Sequence, residues 1–532
     1  MTIFRTDSLS NFPYHSRRAP VLARNIVATS QPLAAQAGLD MLRRGGNAVD
    51  AALAAAITLT VVEPTGNGIG SDAFALIWDG RDLHGLNGSG RSPAAWSPQR
   101  FAGRTNMPEL GWEAVTIPGA VDAWACLSKR FGKLPFEHLF EPAISYAEHG
   151  FLVTPAVASI WAEAPARYRG FAEFARTFLP GGRAPAAGEA FVCPQQADTL
   201  RKIAATGGET FYRGEIARRI AAQAAADGGA VTREDLERHA SEWVAPLRQA
   251  YRDIQLYEIP PNGQGLAALI ALGVLRRCDI RRYAADSAES IHLQVEAMKL
   301  AFTETWRHVA DPAAMAVDPQ CFLDDDFLDE CAAKIRMDRA LTLQPVIRPE
   351  TGTVYLSTAD QNGMLVSYIQ SNYMGFGSGI VVAGTGISLQ NRGRGFTLEP
   401  QHPNCVGGGK RPYHTITPGF VIHDGRPLLS FGVMGALMQP QGHLQMIVRM
   451  FDDGLNPQAA CDAPRWYLAE DFRLALEAGL PERVAAELAA RGHRLMPDPP
   501  TRLFGGAQLV ACLPQGYCGA SDHRKDGQAV GF

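Results

Sequence analysis

The chain has 532 residues, of which 46% are hydrophobic and 20% are charged, and its formal net charge is −4. This composition is typical of a water-soluble globular protein, and the length predicts two lobes or one large layered domain. No long run of a single charge sign occurs, which argues against a dedicated nucleic-acid-binding or membrane-surface protein.

The N-terminal region and the cysteines argue against secreted, membrane-spanning and disulfide-rich proteins. The first twenty residues, MTIFRTDSLSNFPYHSRRAP, lack the apolar segment of a signal peptide, and no run of eighteen apolar residues occurs. We therefore expect no membrane contact and a cytoplasmic location. The nine cysteines are scattered without CxxC spacing, as is typical of reduced thiols rather than of a disulfide framework or a zinc site.

The first half of the chain is predicted to be mostly helical. Residues 30–62 indicate two helices, separated by the C-cap signal Gly45-Gly46 and by Asn47, an N-cap residue type. The second of these helices is apolar on nearly all sides and is expected to be buried. Residues 115–250 carry Ala-rich amphipathic segments, 255–265 indicate a strand and a turn, and 290–310 have a helical period.

The second half is predicted to be richer in strands. The polar, acidic segment 315–352 suggests an exposed linker. It is followed by VYLSTAD and MLVSYIQS, two alternating runs separated by Asn362-Gly363, which is a strong hairpin signal. Two helices are then expected in QGHLQMIVRMFDDG and GLPERVAAELAARG. Together these elements favour a layered α/β fold.

The sequence gives little support for a nucleotide-binding loop, a metal site or a serine nucleophile elbow. GNGIG at 66–70 lacks the Lys-Ser/Thr of a phosphate loop and follows a helix where a dinucleotide site requires a strand. His292 and Glu296 are four residues apart, but the sequence shows no third ligand with HExxH spacing. No G-x-S-x-G occurs. We therefore predict neither a cofactor nor a metal.

Thr353 stands at the leading edge of the predicted hairpin, directly after Gly352. A threonine hydroxyl is a poor nucleophile at neutral pH. If the bond before Thr353 is cut, however, the new α-amino group has a pKa of roughly 8 and can act as the base for its own hydroxyl. A preceding glycine leaves room for the hydroxyl to attack the carbonyl. An ordinary strand-edge threonine is the alternative interpretation.

Segments along the whole chain that are typical of one enzyme family favour a nucleophilic Thr353 over an ordinary strand-edge threonine. They include VATSQPLAAQAGLDMLRRGGNAVDAALA, VVEPTGNGIG, EAVTIPGAVDAW, EAMKLAF, GKRPYHTITP and GASDHRKDG. A nucleophile signature is also present, comprising Thr353, Ser357, Gly363, Val366-Ser367 and Phe376-Gly377. In these segments the chain resembles the gamma-glutamyltranspeptidase family of N-terminal nucleophile hydrolases.

The resemblance implies a four-layer αββα sandwich and self-cleavage between Gly352 and Thr353. Cleavage would leave a helix-rich large subunit, residues 1–352, and a strand-rich small subunit, residues 353–532, intertwined in one catalytic unit. The family's second catalytic hydroxyl falls on Ser371, and its oxyanion-hole NH pair falls on Gly435 and Ala436. The residues that hold a substrate carboxylate fall on Arg91, His414 and Thr415.

The chain departs from the family pattern where a gamma-glutamyl substrate would place its ammonium. The family's aspartate falls on Gly395, its asparagine on Tyr373 and a nearby glutamine on Arg392, while Arg394 adds another cation close by. A buried ammonium would have no counter-charge there, which costs several kcal/mol. The site is therefore expected to take a carboxylate substrate that lacks an ammonium.

These features predict an amidohydrolase that acts on a small carboxylate amide, with oxamate the first choice. Glutaryl-type amides and gamma-glutamyl compounds, as in a gamma-glutamyltransferase or glutathione hydrolase, are alternatives. An unprocessed pseudo-enzyme that only binds is a different class. Intact Thr353, Ser371 and Arg91 count against it, although Arg91 and Arg392 also fit a surface or ion-pair role. The sequence leaves the oligomeric state open, a homo-oligomer being one option.

Overall fold

The computed structural model of the chain describes residues 18–343 and 352–532. Its strands are β1 (Val21–Ala23), β2 (Ile26–Thr29), β3 (Asp72–Trp78), β4 (Leu83–Gly88), β5 (Phe151–Leu152), β6 (Ala190–Phe191), β7 (Glu242–Val244), β8 (Leu247–Tyr251), β9 (Ile254–Glu258), β10 (Val354–Ala359), β11 (Leu365–Ser371), β12 (Val381–Val382), β13 (Ile387–Ser388), β14 (Gly419–His423), β15 (Arg426–Met434), β16 (Trp466–Leu468), β17 (Leu474–Leu476), β18 (Gly506–Leu513), β19 (Gly516–Ser521) and β20 (Gln528–Gly531).

Its α-helices are α1 (Pro32–Arg43), α2 (Ala48–Val62), α3 (Ala120–Phe131), α4 (Glu141–His149), α5 (Pro155–Trp161), α6 (Ala164–Arg167), α7 (Ala172–Phe178), α8 (Pro194–Ala205), α9 (Glu209–Tyr212), α10 (Glu215–Ala226), α11 (Arg233–Glu237), α12 (Gly265–Arg276), α13 (Ala288–His308), α14 (Asp325–Ala333), α15 (Met438–Phe451), α16 (Pro457–Asp462) and α17 (Glu482–Ala490).

Two seven-stranded antiparallel sheets form the centre of the molecule. One has the order β1-β19-β18-β15-β14-β9-β8 and the other β20-β2-β10-β11-β3-β4-β7. Each sheet combines strands from before and after Thr353. A single core cluster lies between the sheets and joins Phe74 and Tyr355 of the second sheet to Phe420 and Val510 of the first.

The strands are apolar on both faces because helices cover the outer face of each sheet. In β3, Phe74, Leu76 and Trp78 face the other sheet, whereas Ala73, Ala75 and Ile77 pack with helices α2, α3 and α4. This alternation follows from the two-residue period of a strand. Helices α12, α13 and α15 cover the first sheet in the same way. The predicted αββα sandwich is therefore confirmed.

Several sequence-predicted elements are confirmed at residue level. The hairpin is β10–β11, with Val354 opposite Gln370 and Thr358 opposite Val366. Helix α2 begins after Asn47, which forms a capping box with Asp50. Every residue of that helix is buried, as its all-round apolar character predicts. The periodic segment at 290–310 is α13, and the two helices expected later in the chain are α15 and α17.

The prediction of an exposed linker over 315–352 is wrong for much of that segment. Helix α14 lies within it, and Leu328 and Cys331 of this helix are buried against α12. The acidic residues that suggested a linker, Asp325 and Asp326, occupy the first turn of the helix, where the helix dipole favours negative charge. Residues 344–351 of the predicted linker, and residues 1–17, lie outside the described residues.

No described helix is both long enough and apolar enough to cross a membrane. The cytoplasmic location stays a prediction.

Candidate active site

Thr353 lies just before β10, between the two sheets, and is buried. Its Oγ1 is 2.7 Å from the carbonyl oxygen of Gly352 and 3.3 Å from Oγ of Ser371. Ser371 is the last residue of β11, so the hairpin register brings it beside Thr353. Its Oγ is also 3.1 Å from the Gly352 carbonyl oxygen, and it accepts a hydrogen bond from the Tyr373 NH at 2.8 Å. Two hydroxyls therefore converge on the carbonyl of the bond predicted to be cut.

Gly435 and Ala436 form the turn between β15 and α15, close to the N-terminus of that helix. Both have positive φ, 115° and 49°, and such a value is uncommon for alanine. Within the described part of the chain, neither NH is donated to a loop or turn carbonyl. Gln264 Nε2 donates to the Ala436 carbonyl at 2.8 Å and fixes the turn. Two free NH groups next to a helix N-terminus suit a developing oxyanion.

Thr353 opens onto a cavity of about 220 Å³. The cavity reaches Gly352, Gly435 and Gly66 and carries charged side chains on its walls. Gly66 approaches the predicted nucleophile closely, since a β-carbon at this position would lie 3.4 Å from the backbone nitrogen of Thr353. The charged residues that line the cavity are Glu63, Glu163, Arg167, Arg502 and Lys525.

Arg392 begins a 3₁₀ turn, Arg392–Gly395, and its side chain is 1% exposed. Its Nη1 donates to Thr415 Oγ1 at 2.8 Å, and its guanidinium lies over the Tyr373 ring, 4.6 Å from the ring centroid. Its Nε and Nη2 are buried without a hydrogen-bond partner among the described residues. These two NH groups point the same way from a guanidinium and match the two oxygens of a carboxylate. Leaving them unpaired is costly, so the arrangement suits an anionic ligand.

Asp72 is an acidic group whose charge acts on Arg392. It is the first residue of β3, lies opposite Ser371 in the sheet, and accepts a hydrogen bond from the Gly119 NH at 3.0 Å. Burial raises the pKa of Asp72 to about 7, although the positive charge of Arg392 opposes the shift. Burial also lowers the pKa of Arg392 to about 10, against the favourable charge of Asp72. Arg392 therefore stays charged at neutral pH.

His414 is placed beside Asp72 by a 3.1 Å contact between Nε2 and Oδ2. Burial, followed by the charges of Arg392 and Arg411, holds the pKa of His414 well below its usual range. The ring is therefore neutral and donates from Nε2 to Asp72. Its Nδ1 accepts from the Ile416 NH at 3.4 Å. Both ring nitrogens are thus engaged by the protein, and direct contact of His414 with a substrate stays a prediction.

Arg91 lies elsewhere in the structure. It lines a separate cavity of about 150 Å³, where Nη1 is 2.7 Å from Asp311 and Nη2 is 3.2 Å from Glu242. Neither Arg91 nor Arg392 lines the Thr353 cavity, but the Arg91 guanidinium already has two carboxylate partners. The role of Arg91 as a carboxylate ligand stays a prediction.

The missing acid at Gly395 has a steric reason. A β-carbon on Gly395 would lie 2.6 Å from the carbonyl oxygen of Tyr413, closer than such contacts allow. No aspartate fits there without a backbone shift. The neighbouring Arg394 is buried except for a small fraction and lies 3.8 Å from Glu109.

Sequence reasoning missed several residues that the fold brings to the site. Asp72 and Glu63 both lie in recognisable segments, GSDAF and VVEPTG, but no spacing relates them to Thr353. Gln439 reaches the predicted nucleophile from α15, with Nε2 3.5 Å from Thr353 Oγ1, and Lys525 comes from the C-terminal loop. Only strand pairing and the loop crossings between the sheets reveal them.

His292 and Glu296, which the sequence analysis did not accept as a metal pair, lie in a buried cluster elsewhere in the structure. His493 joins His292 and Glu296, and their ligand atoms lie within 4.8 Å of one another. His292 Nδ1 is 2.8 Å from His493 Nε2, and Lys299 Nζ is 2.7 Å from Glu296 Oε1. The ammonium of Lys299 neutralises the carboxylate that a cation would need.

Comparison with known proteins assigns the family. The model of the gamma-glutamyltranspeptidase family matches residues 34–532. The chain belongs to this family. It is 34% identical to the glutathione hydrolase-like YwrD proenzyme of Bacillus subtilis, over 96% of this chain and 98% of that protein. It is 35% identical to the oxamate amidohydrolase proenzyme of Klebsiella pneumoniae, over 94% of this chain and 97% of that protein.

A solved structure shows the same fold at higher identity. The crystal structure of a cephalosporin acylase from Bacillus halodurans is 47% identical, has a TM-score of 0.94, and is covered over 98% of both chains. The relatives are hydrolases that act on amide bonds, and several carry the word proenzyme in their names. The chain is therefore a hydrolase of the N-terminal nucleophile type.

Proposed function

We propose that this chain is an autoprocessing amidohydrolase that uses Thr353 to cleave the amide of an acyl group bearing a free carboxylate. The observation that carries the proposal is Arg392, a buried guanidinium whose Nε and Nη2 have no partner among the described residues. Asp72 interacts with this charge through space, but no hydrogen bond or ion pair of the described residues joins the two, and leaving buried NH groups unpaired is costly. A bound carboxylate would remove much of that cost, whereas an ammonium would be repelled.

Arg392 is linked to the nucleophile by a short series of contacts. Its guanidinium stacks on Tyr373, the Tyr373 NH binds Ser371 Oγ, and Ser371 Oγ lies 3.3 Å from Thr353 Oγ1. We therefore place the substrate carboxylate at Arg392, on the Tyr373 side of the hydroxyl that attacks the acyl carbon. Tyr373 stands between Arg392 and Ser371 in this series of contacts, and its bulk is our reason to favour a short acyl group.

Maturation follows from the same atoms. Thr353 Oγ1 attacks the Gly352 carbonyl carbon, the C–N bond breaks, and an ester replaces the peptide bond. Hydrolysis of that ester by water releases Gly352 as a carboxylate and Thr353 with a free α-amino group. Residues 1–352 and 353–532 then form the large and small subunits. In each later turnover the α-amino group takes the Oγ1 proton, and Gly435 and Ala436 donate to the oxyanion.

Oxamate is our first choice of substrate, since it is the smallest amide with an adjacent carboxylate. The 35% identical relative named oxamate amidohydrolase supports it. A glutaryl-type acylase is the second candidate, supported by the 47% identical cephalosporin acylase structure. Gamma-glutamyl hydrolysis or transfer ranks below both, because no acid stands at Gly395. An unprocessed binding protein is the alternative from a different class.

Two measurements test the proposal. An SDS gel of the purified protein should show two fragments that meet at Gly352–Thr353, whereas a single band would favour the binding protein. Release of ammonia or amine is then measured with oxamate, a glutaryl amide and a gamma-glutamyl anilide. Activity confined to the gamma-glutamyl compound would overturn the assignment of a carboxylate substrate without an ammonium.

A further inference from the structure

Glu63 is a carboxyl group of the Thr353 cavity that the proposed mechanism does not use. It follows α2 as its C-cap residue, is buried, and lines the same cavity as Thr353. Its Oε2 accepts a hydrogen bond from Ser30 Oγ at 2.5 Å. Its Oε1 makes no hydrogen bond and its carboxylate has no cation within 4 Å in residues 18–343 and 352–532. One oxygen of Glu63 is therefore free to act on a ligand in this cavity.

Glu63 lines one cavity with Thr353 and with Gly435, the predicted oxyanion donor. The acyl carboxylate is assigned to Arg392 and the oxyanion to the NH groups of Gly435 and Ala436. Because Arg392 does not line this cavity, we place the leaving group in it, beside Gly352 and Glu63. A short backbone segment links Glu63 to Thr353. The Gly66 NH donates to the Glu63 carbonyl at 3.4 Å, and Gly66 packs against Thr353.

The other charges around Glu63 leave its proton available near neutral pH. Burial raises the pKa of Glu63 to about 7, and Asp526 adds to the rise, whereas Lys525 and the Ser30 hydrogen bond oppose it. The remaining charged groups of the cavity have partners of their own. Arg502 pairs with Glu163, and Arg167 pairs with Glu109 at 3.3 Å.

We propose that Glu63 donates a proton to the departing amine when Thr353 is acylated. The inference rests on the proposed function. As the oxyanion re-forms its carbonyl, the C–N bond breaks, its electron pair stays on nitrogen, and nitrogen takes the Glu63 proton. The amine leaves neutral, and the Glu63 carboxylate regains a proton from water. The Thr353 α-ammonium, which holds the former Oγ1 proton, then loses it to solvent.

Two substrates with one acyl group separate this role from a structural one. An amide must have its nitrogen protonated to leave, whereas a nitrophenyl ester releases a stable anion and needs no acid. We expect Glu63→Gln to lower kcat/KM for the amide by about a hundredfold, as is usual for a general acid, and to leave the ester nearly unchanged. In the wild type, the ratio of amide to ester rates should fall as the pH rises through 7. In the variant the ratio should not depend on pH.

Glu163→Gln is the matched control, because this carboxyl is at the rim of the same cavity and its side chain is 60% exposed. Its amide-to-ester ratio should equal that of the wild type. Equal losses on amide and ester in Glu63→Gln, or an unchanged ratio, would overturn the proposal. Failure of the wild type to hydrolyse the ester would instead count against the proposed function itself.

A second variant keeps the test informative if Glu63→Gln is not processed, as judged on an SDS gel. Ser30→Ala removes the hydrogen bond that favours the ionised carboxylate, so the pKa of Glu63 should rise. The pH at which the wild-type ratio begins to fall should move upward in Ser30→Ala. An unmoved midpoint would contradict a role of the Glu63 proton.

Discussion

Replacing Arg392 by lysine tests the proposed carboxylate site most directly. Lysine keeps the positive charge but lacks the pair of NH groups, Nε and Nη2, that arginine leaves unpartnered. A hydrogen bond to a charged group contributes about 1.5–3 kcal/mol, and about 1.4 kcal/mol is a factor of ten. Losing one of two such bonds should lower kcat/KM for a carboxylate amide by roughly ten- to a hundredfold.

The assay compares each carboxylate amide with a neutral amide of the same length. Wild-type enzyme should prefer the carboxylate, and Arg392→Lys should lose most of that preference while it is still cleaved into two fragments. Arg91→Lys is the matched variant, because Arg91 was predicted from the sequence to hold the carboxylate. Its pairing with Asp311 and Glu242 leads us to expect the smaller loss from Arg91→Lys. The reasoning is refuted if Arg392→Lys retains full kcat/KM on every carboxylate substrate while Arg91→Lys loses it.

Four further outcomes are expected. Thr353→Ala should remain a single chain on an SDS gel, because the attacking hydroxyl is gone, and normal cleavage would place the nucleophile elsewhere. Ser371→Ala should slow cleavage by about tenfold, measured as the time course of fragment appearance, since its Oγ contacts the Gly352 carbonyl. Asp72 ionises as the pH rises through about 7 and then offsets the charge of Arg392, so KM for anionic substrates should rise above that pH. Asp72→Asn should abolish this rise. A variant with the same dependence of KM on pH as the wild type would contradict the role of Asp72. Wild-type enzyme should prefer glutaryl over gamma-glutamyl amides by roughly a hundredfold in kcat/KM, because one unpaired ammonium costs a few kcal/mol. If side-by-side rates favour the gamma-glutamyl compound, the lack of an aspartate at Gly395 does not determine the substrate.

The hairpin and the buried helix were predictable because each depends on local sequence. Asn362-Gly363 fixes the β10–β11 turn, and the all-round apolar character of α2 requires burial on every side. The αββα layering followed from the family resemblance and not from periodicity. Helix α14 was missed because its acidic first turn resembles a solvated segment, and only the contacts of Leu328 and Cys331 with the core show otherwise.

The partners of the nucleophile were predictable to different degrees. Ser371 was predicted from the family resemblance, and the hairpin register then places it opposite Thr353, because Val354 pairs with Gln370. Asp72 and Glu63 did not follow, because they are separated from Thr353 by more than 280 residues along the chain and join it only through sheet pairing and loop packing. Arg392 was recognised as a cation in place of a glutamine, but its burial and its two unpartnered NH groups are properties of the folded chain.

The absence of an acid at Gly395 and the presence of Arg392 have one structural explanation. The 3₁₀ turn runs so close to the Tyr413 carbonyl that position 395 has no room for a β-carbon, and the same turn carries the Arg392 side chain inward to Thr415. A backbone that has no room for the counter-ion of an ammonium thus also positions Arg392, the proposed partner of a substrate carboxylate. For this reason Gly395→Asp should strain the turn and misplace Arg392 rather than restore gamma-glutamyl activity. We expect that variant to lose activity on both glutaryl and gamma-glutamyl amides, measured side by side with wild type. A gain on the gamma-glutamyl amide with unchanged glutaryl activity would show that the turn tolerates an acid and that the two features are independent.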